Sequence, residues 1–247
     1  MAAKMKVVEP SINVTLVHSR NQLLSAEPLP DEIKQMSLDC LRKGGVEVIL
    51  GKGRITSIST TEGDDGKPVQ KLTLGDGSQL TASHVISAIS QQVPSTTYLP
   101  KSCLDEDGLV KIDNKLQFLP DQPNNEHHYA TGDICKWSGI KRCGAAMAMG
   151  VRAADNIHQH ILNQRASTEI NLTPWPEVPP MIALACGKSA VIYDPVGGAR
   201  CGEEEMKIYF RDDLCFKGCW DHAGLSEPWR IDSPHAEGHA IPQVKGY

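Results

Sequence analysis

Hydrophobic periodicity changes twice along the chain, and each change predicts a different kind of element. Residues 12–18, INVTLVH, are rich in β-branched types and predict a strand ended by Ser19-Arg20. The following LPDEIKQMSLDCLRKGG sets apolar or small residues at Ile33, Met36, Ser37, Cys40 and Leu41, with an acidic start and a Lys43-Gly44 finish. That spacing predicts an amphipathic helix whose charges complement its dipole. VEVIL, 46–50, predicts a second strand. Strand, helix and strand within about 40 residues form the pattern of a right-handed parallel crossover.

The period then shortens to two. GRITSIST, KPVQKLTL and SQLTASHVISAIS are short alternating runs separated by Asp64-Asp65-Gly66 and Gly75-Asp76-Gly77, both strong reverse-turn sequences. They predict an antiparallel meander, after which Val85 to Ile89 returns to the main sheet. Asp105 to Leu119 predicts a hairpin leading to a strand that ends in Tyr129-Ala130-Thr131. A long helix follows, with Met147, Val151, Ala154, His158 and Ile161 on its predicted apolar stripe. TPWPEVPP, 173–180, is too rich in proline for a helix or a central strand and predicts a linker. MIALAC, SAVIYDP, EMKIYF and LCFKGCW predict four short strands of a second, smaller unit, and the polar stretch from Asp221 predicts a loose tail.

Composition narrows the function classes. The chain has 247 residues, 40% hydrophobic and 22% charged, enough for one substantial core or two smaller ones. Its 25 basic and 30 acidic residues give a net charge of -5, which argues against a general nucleic-acid binder. No apolar run reaches the roughly 18 residues of a membrane span, MAAKMKVVEP lacks the apolar core of a signal peptide, and no terminal lipidation motif stands out. The expected location is cytoplasmic, with peripheral membrane association compatible. The 8 cysteines contain no C-x-x-C pair, and their scatter suits reduced structural thiols. His127, His128, Cys135 and Cys143 are candidate metal ligands by type, but their spacing does not repeat, so no metal is expected.

Candidate chemistry concentrates in YATGDICKWSGIKRCGAAMAMGVRAADNIHQHIL, 129–162. Gly132 permits a close backbone approach, Asp133 can accept hydrogen bonds from a ribose or ribitol hydroxyl, and the helix expected to start near Gly144 points N–H groups at a ligand. A dinucleotide combines an anionic pyrophosphate with hydroxyl-rich sugars, which this order of groups suits. A plain packed helix following an Asx turn is the alternative.

YATGD followed by a turn and GAAMAMGVRAADNIHQHI resembles the second flavin-binding motif of the two-dinucleotide-domain flavoprotein oxidoreductases. Within that superfamily, VTLVHSRNQLLSAEPLPDEIKQ, VEVILGKGRI, GLVKIDNKLQ and ALACGKSAVIYDPVGG make the chain most similar to the apoptosis-inducing factor 2-like, or ferroptosis suppressor protein-like, NAD(P)H:quinone oxidoreductases. The resemblance covers about residues 1 to 225. It implies an α/β fold: a partial two-dinucleotide-binding-domain flavoprotein, Rossmann-like, with a small α+β C-terminal unit. The implied division is a partial NAD(P)-binding domain with the β-meander at 1–92, the C-terminal part of an FAD-binding domain at 93–172, the small unit at 173–225 and a flexible tail at 226–247.

The resemblance also implies FAD and NAD(P)H as cofactors and a quinone-like or other electron acceptor as partner. By position, Asp133 matches the acid that bonds the flavin's ribityl or pyrophosphate region, while Gly144 and Ala145 match the helix start beneath the flavin ring. Lys141 either reaches the flavin or an acceptor, or is with Arg142 one of two solvated charges. Arg20 lies where the family meets the adenosine ribose; with no acid at 18–20 to favour NADH, it favours NADPH through pairing with the 2'-phosphate. No catalytic protein side chain is expected, because the flavin carries the chemistry.

One departure is expected. The family's two G-x-G-x-x-G turns do not occur in this sequence, and Met1 to Glu9 matches the end of the helix that follows the second. The chain therefore reads as starting inside the nicotinamide domain, and a non-catalytic fragment or interaction module of the same fold stands beside the enzyme reading.

Overall fold

The computed structural model describes residues 1–63, 66–89, 93–166, 169 and 171–225. Asp64 and Asp65 of the first meander turn and the expected tail at 226–247 lie outside the described residues. After α1 (Ala2–Val8) come β1 (Val14–His18), α2 (Asp31–Lys43) and β2 (Val46–Leu50). β1 and β2 pair in parallel from Val14↔Val46 to His18↔Leu50, so the expected crossover forms. α2 opens after Pro30 with Asp31 and Glu32 in its first turn and closes on Arg42 and Lys43, placing each charge at the helix end it stabilises. Ile33, Ser37, Leu38 and Cys40 are buried along it. The Ser37 hydroxyl donates to the Ile33 carbonyl at 2.8 Å, which removes the penalty of burying it. Fully burying a side chain such as Ile33 stabilises by about 1.5–3 kcal/mol.

β3 (Ile55–Glu62), β4 (Pro68–Leu74) and β5 (Gln79–Ala82) make the predicted antiparallel meander in the order β3-β4-β5. Its second turn uses Gly77 at φ 84° and an Asp76 carboxylate that accepts from the Ser78 N–H at 2.9 Å. Val85 to Ile89 does not return to the main sheet, which corrects the expectation. Ile86 and Ile89 are 60% and 90% exposed, and among the described residues β1 and β2 offer this segment no ladder partner.

The next region is built from turns more than strands. β6 (Val110–Lys111) and β7 (Cys135–Lys136) form a two-residue parallel ladder. The single hairpin expected over 105–119 is two successive tight turns, with isolated bridges Leu104↔Val110 and Ile112↔Phe118. Tyr129 forms one bridge to Gln117 and no strand, because the chain turns at Gly132, φ 77°. α3 (Cys143–Ala166) starts where its sequence predicted, but the buried face is Met149, Ala153 and Asn156. Ala154 and His158 of the expected stripe are exposed, and Ile161 is 40% exposed.

Residues 171–181 carry no regular structure, as the prolines predict. β8 (Ile182–Cys186), β9 (Ser189–Asp194) and β10 (Gly198–Gly202) form an antiparallel sheet with β9 central. EMKIYF and LCFKGCW are not strands. They fall in α4 (Glu203–Tyr209) and α5 (Phe216–His222). Glu203, Glu204 and Glu205 favour a helix start, and Met206 and Phe210, four apart, both pack on Ala190 and Ile192. α2 packs against this C-terminal sheet, so Leu29, Ile33, Cys40, Ile140, Ile182, Cys186 and Val191 share one core. The architecture is a Rossmann-like α/β fold with a smaller C-terminal α+β unit.

Candidate functional site

The turn and the helix identified by sequence are held directly against each other. Thr131 is extended, and residues 132–134 form a short 3-10 turn. A Cβ at Gly132 would lie 3.2 Å from the Ala146 Cβ, so both the positive φ and the close approach require glycine there. Beneath the turn, Cys135 is fully buried, and burial pushes its thiol up to about 12. Such a thiol stays protonated at neutral pH and supplies no nucleophile.

Lys141 closes the loop between the turn and the helix. Its Nζ donates to the Asp133 carbonyl oxygen at 2.5 Å, so this lysine braces the turn. The Asp133 side chain is exposed, and among the described residues its carboxylate has no hydrogen-bond or ion-pair partner. At the start of α3, the Ala146 N–H bonds the Arg142 carbonyl at 3.0 Å, and the N–H groups ahead of it lack intrahelical acceptors. Gly144 is exposed, and a Cβ built on it meets nothing within 4 Å. No packing contact therefore calls for glycine at this helical position, where it is less favourable than alanine by roughly 0.5–1 kcal/mol. Ala145, next to it, is half-buried.

Arg142 connects this junction to the first unit. Its guanidinium donates to the Lys141 carbonyl at 2.8 Å and lies 3.7 Å from the Glu27 carboxylate, in the loop after β1. Leu24 and Leu29 of that loop share a core with Ile140. The same loop carries Arg20 two residues past the carboxyl end of β1, which is the ligand-binding end of a parallel sheet. Arg20 is exposed and donates to Ser25 Oγ at 3.3 Å, while Ser25 Oγ lies 3.5 Å from His18 Nε2. Among the described residues Arg20 has no carboxylate partner, which leaves its charge available for an anion. The Gly51 N–H bonds the carbonyls of His18 and Arg20 at 3.2 and 3.0 Å, fixing the strand end.

Sequence reasoning missed three supports of this site. Asn156 is fully buried; it donates to the carbonyls of Lys115 and Thr173 at 3.1 and 3.0 Å and accepts from the Thr173 N–H at 2.8 Å. Its signal was a polar residue spaced seven after Met149. Trp137 lies over Gly139, where a Cβ would meet the indole at 2.0 Å, and packs edge-on against Trp175 with centroids 6.1 Å apart. The Glu27–Arg142 pair had no local signal, since the partners are far apart in sequence.

No helix among the described residues is long and apolar enough to cross a membrane. A solved FAD-dependent pyridine nucleotide-disulphide oxidoreductase from Desulfovibrio vulgaris matches 77% of this chain with 45% of its own, at a TM-score of 0.52 and 17% identity, a likeness of fold. Oxidoreductase OXR1 of Ajellomyces capsulatus is 44% identical over 227 residues, which are 92% of this chain and 49% of that protein. Mouse ferroptosis suppressor protein 1 is 27% identical over 135 residues, 54% of this chain and 35% of that one. The chain thus spans about half the length of the first relative and about a third of the second. The family model described as pyridine nucleotide-disulphide oxidoreductase matches residues 1–150, more than half of the sequence. The chain belongs to the pyridine nucleotide-disulphide oxidoreductase family.

Proposed function

We propose that this chain carries part of an FAD- and NAD(P)H-dependent oxidoreductase site, with Gly132, Asp133, Lys141, Gly144 and Ala145 on the flavin side and Arg20 on the nicotinamide side. The observation that carries the reading is a coincidence at one junction: an unpartnered Asp133 carboxylate beside a helix start whose Gly144 faces open space. A ligand that offers hydroxyl donors and needs room above a helix N-terminus fits both features. When bound, FAD supplies acceptance of a hydride from NAD(P)H and delivery of electrons to a quinone-like or other acceptor.

The protein's part is positioning. Asp133 accepts from sugar hydroxyls, Lys141 fixes the turn through the Asp133 carbonyl, and the Gly132–Ala146 contact sets the distance between turn and helix. Arg20 pairs with a 2'-phosphate, which favours NADPH. The Glu27–Arg142 pair ties the two binding segments together. The division at residues 92 and 172 belongs to the same proposal, as does a cytoplasmic site of action with peripheral membrane contact.

Gly144→Val tests whether the flavin lies over the start of α3. Beyond its chain neighbours and the backbone of its own helix, a Cβ at position 144 meets nothing within 4 Å, so thermal stability should hold. FAD affinity, followed by flavin fluorescence polarisation as the full chain is titrated, should fall by about tenfold or more. Unchanged affinity would place the flavin elsewhere.

A further inference from the structure

β3 is an edge of the meander: it pairs with β4, and among the described residues no strand takes its other side. All 8 of its residues are exposed. Its sequence, ITSISTTE, is rich in β-branched types, and from Ile55 to Thr61 it carries no charge, proline or glycine. Charges and proline are the devices that keep an edge strand single, because its unpaired N–H and C=O groups template a further strand. The ladder to β4 is regular over residues 57–62, with a bulge between Ile55 and Ser57.

Charge stands at the two ends of this stretch. Arg54 precedes β3 and Glu62 ends it, equally far from Ile58. Both are exposed, and among the described residues neither side chain has a hydrogen-bond or ion-pair partner. An antiparallel copy of the same strand is therefore its electrostatic complement. Ile58 is 50% exposed and lines a shallow hollow with Gln70, His84 and Val85, beside Ile86, which is 60% exposed.

We propose that a second copy of this chain docks on this edge, β3 antiparallel to β3, joining two three-stranded meanders into one six-stranded sheet about a twofold axis at Ile58. Ile58 of each copy faces Ile58 of the other across the axis, and Arg54 of each copy meets Glu62 of the other, twice by symmetry. The bulge lies off the axis, between Ile58 and Arg54, and the long arginine side chain spans the offset it introduces. The opposite edge of the meander, β5, has 4 residues, so a head-to-tail contact of β3 on β5 leaves half of β3 unpaired. Self-pairing uses the whole strand and closes the assembly. Exposed ion pairs are individually weak, so the charges select orientation and register while the backbone ladder and the Ile58 contact supply the attraction.

Sedimentation velocity of the full chain, from about 1 to about 100 µM, reads the association, and a dimer is expected to form over that range. Ile58→Lys sets like charges on the axis and should raise the dissociation constant by about tenfold or more, as should Arg54→Glu and Glu62→Arg, each alone. An equimolar mixture of Arg54→Glu and Glu62→Arg chains should recover the dimer, because both ion pairs then form with their signs exchanged. All three residues are exposed, so each variant should melt within about 2 °C of wild type, which checks that it folds. A wild-type chain that stays monomeric, open-ended larger assemblies, a dimer indifferent to Ile58→Lys, or a mixture no more associated than its separate components would each overturn the proposal.

Discussion

Asp113 and Asp133 sit in neighbouring turns of the same region and do opposite things. Asp113 Oδ1 accepts from the Lys115 and Gln117 N–H groups at 2.8 and 2.9 Å, closing its turn. Asp105, at the turn before, does the same with Asp107 and Leu109 at 3.0 and 2.8 Å. Asp133 closes nothing with its carboxylate. Its turn is fixed by Lys141 on the carbonyl and by Gly132 against Ala146. A carboxylate that the fold does not use, on a turn held by other means, is free to serve a ligand. Under the proposed function that ligand is FAD.

The largest effect belongs to the structural side. Asn156→Ala removes three hydrogen bonds that a fully buried side chain makes to the Lys115 and Thr173 backbone, and should destabilise the chain by about 3 kcal/mol in denaturant unfolding. A loss under about 1 kcal/mol would mean that α3 is not anchored as described. Asp113→Ala removes two backbone hydrogen bonds and should cost about 1–2 kcal/mol, with FAD affinity of the folded chain unchanged. If flavin affinity fell with Asp113, the contrast between the two aspartates would break.

Arg20→Ala sharpens the nicotinamide side. The dissociation constant for NADPH should rise about tenfold while that for NADH stays level. Equal weakening of both nucleotides would remove the 2'-phosphate role. The smallest effect concerns Asp194, whose carboxyl is held below the usual aspartate range by the Gly197 N–H and the Arg200 guanidinium. A depressed folded value means the stabilisation is present above the unfolded value and is lost as pH falls through the folded one. The thermal stability gap between wild type and Asp194→Asn should therefore narrow on acidification from about pH 6 to about pH 3. A gap that widened would contradict the sign.

The β1–α2–β2 crossover was legible because its periods are clean and its ends are marked by Ser19, Asp31, Glu32 and Gly44. The turn at Gly132 and the start of α3 were legible because Gly132 sits where a positive φ and a close approach require glycine, and an alanine-rich run follows it. The face of α3 was not. Apolar residues surround that helix, and choosing Asn156 over Ile161 for burial depends on carbonyls 41 and 17 residues away. IYF at the end of α4 and LCF at the start of α5 are apolar clusters too short for periodicity to separate a strand from a helix, and Glu203–Glu205 decided the first. The bracing roles of Lys141 and Arg142 were hidden because a charged side chain's partner is set by tertiary placement.

The central claim is that Asp133 serves the ligand and Asp113 serves the fold. Asp133→Ala and Asp113→Ala, each measured for thermal stability and for FAD affinity by the same polarisation titration, test it directly. Asp133→Ala should weaken FAD binding by about tenfold while the melting temperature shifts by less than about 1 °C, and Asp113→Ala should do the reverse, because it removes the acceptor of two turn hydrogen bonds. Full flavin affinity in Asp133→Ala, or a large loss of stability with it, would contradict this division of roles.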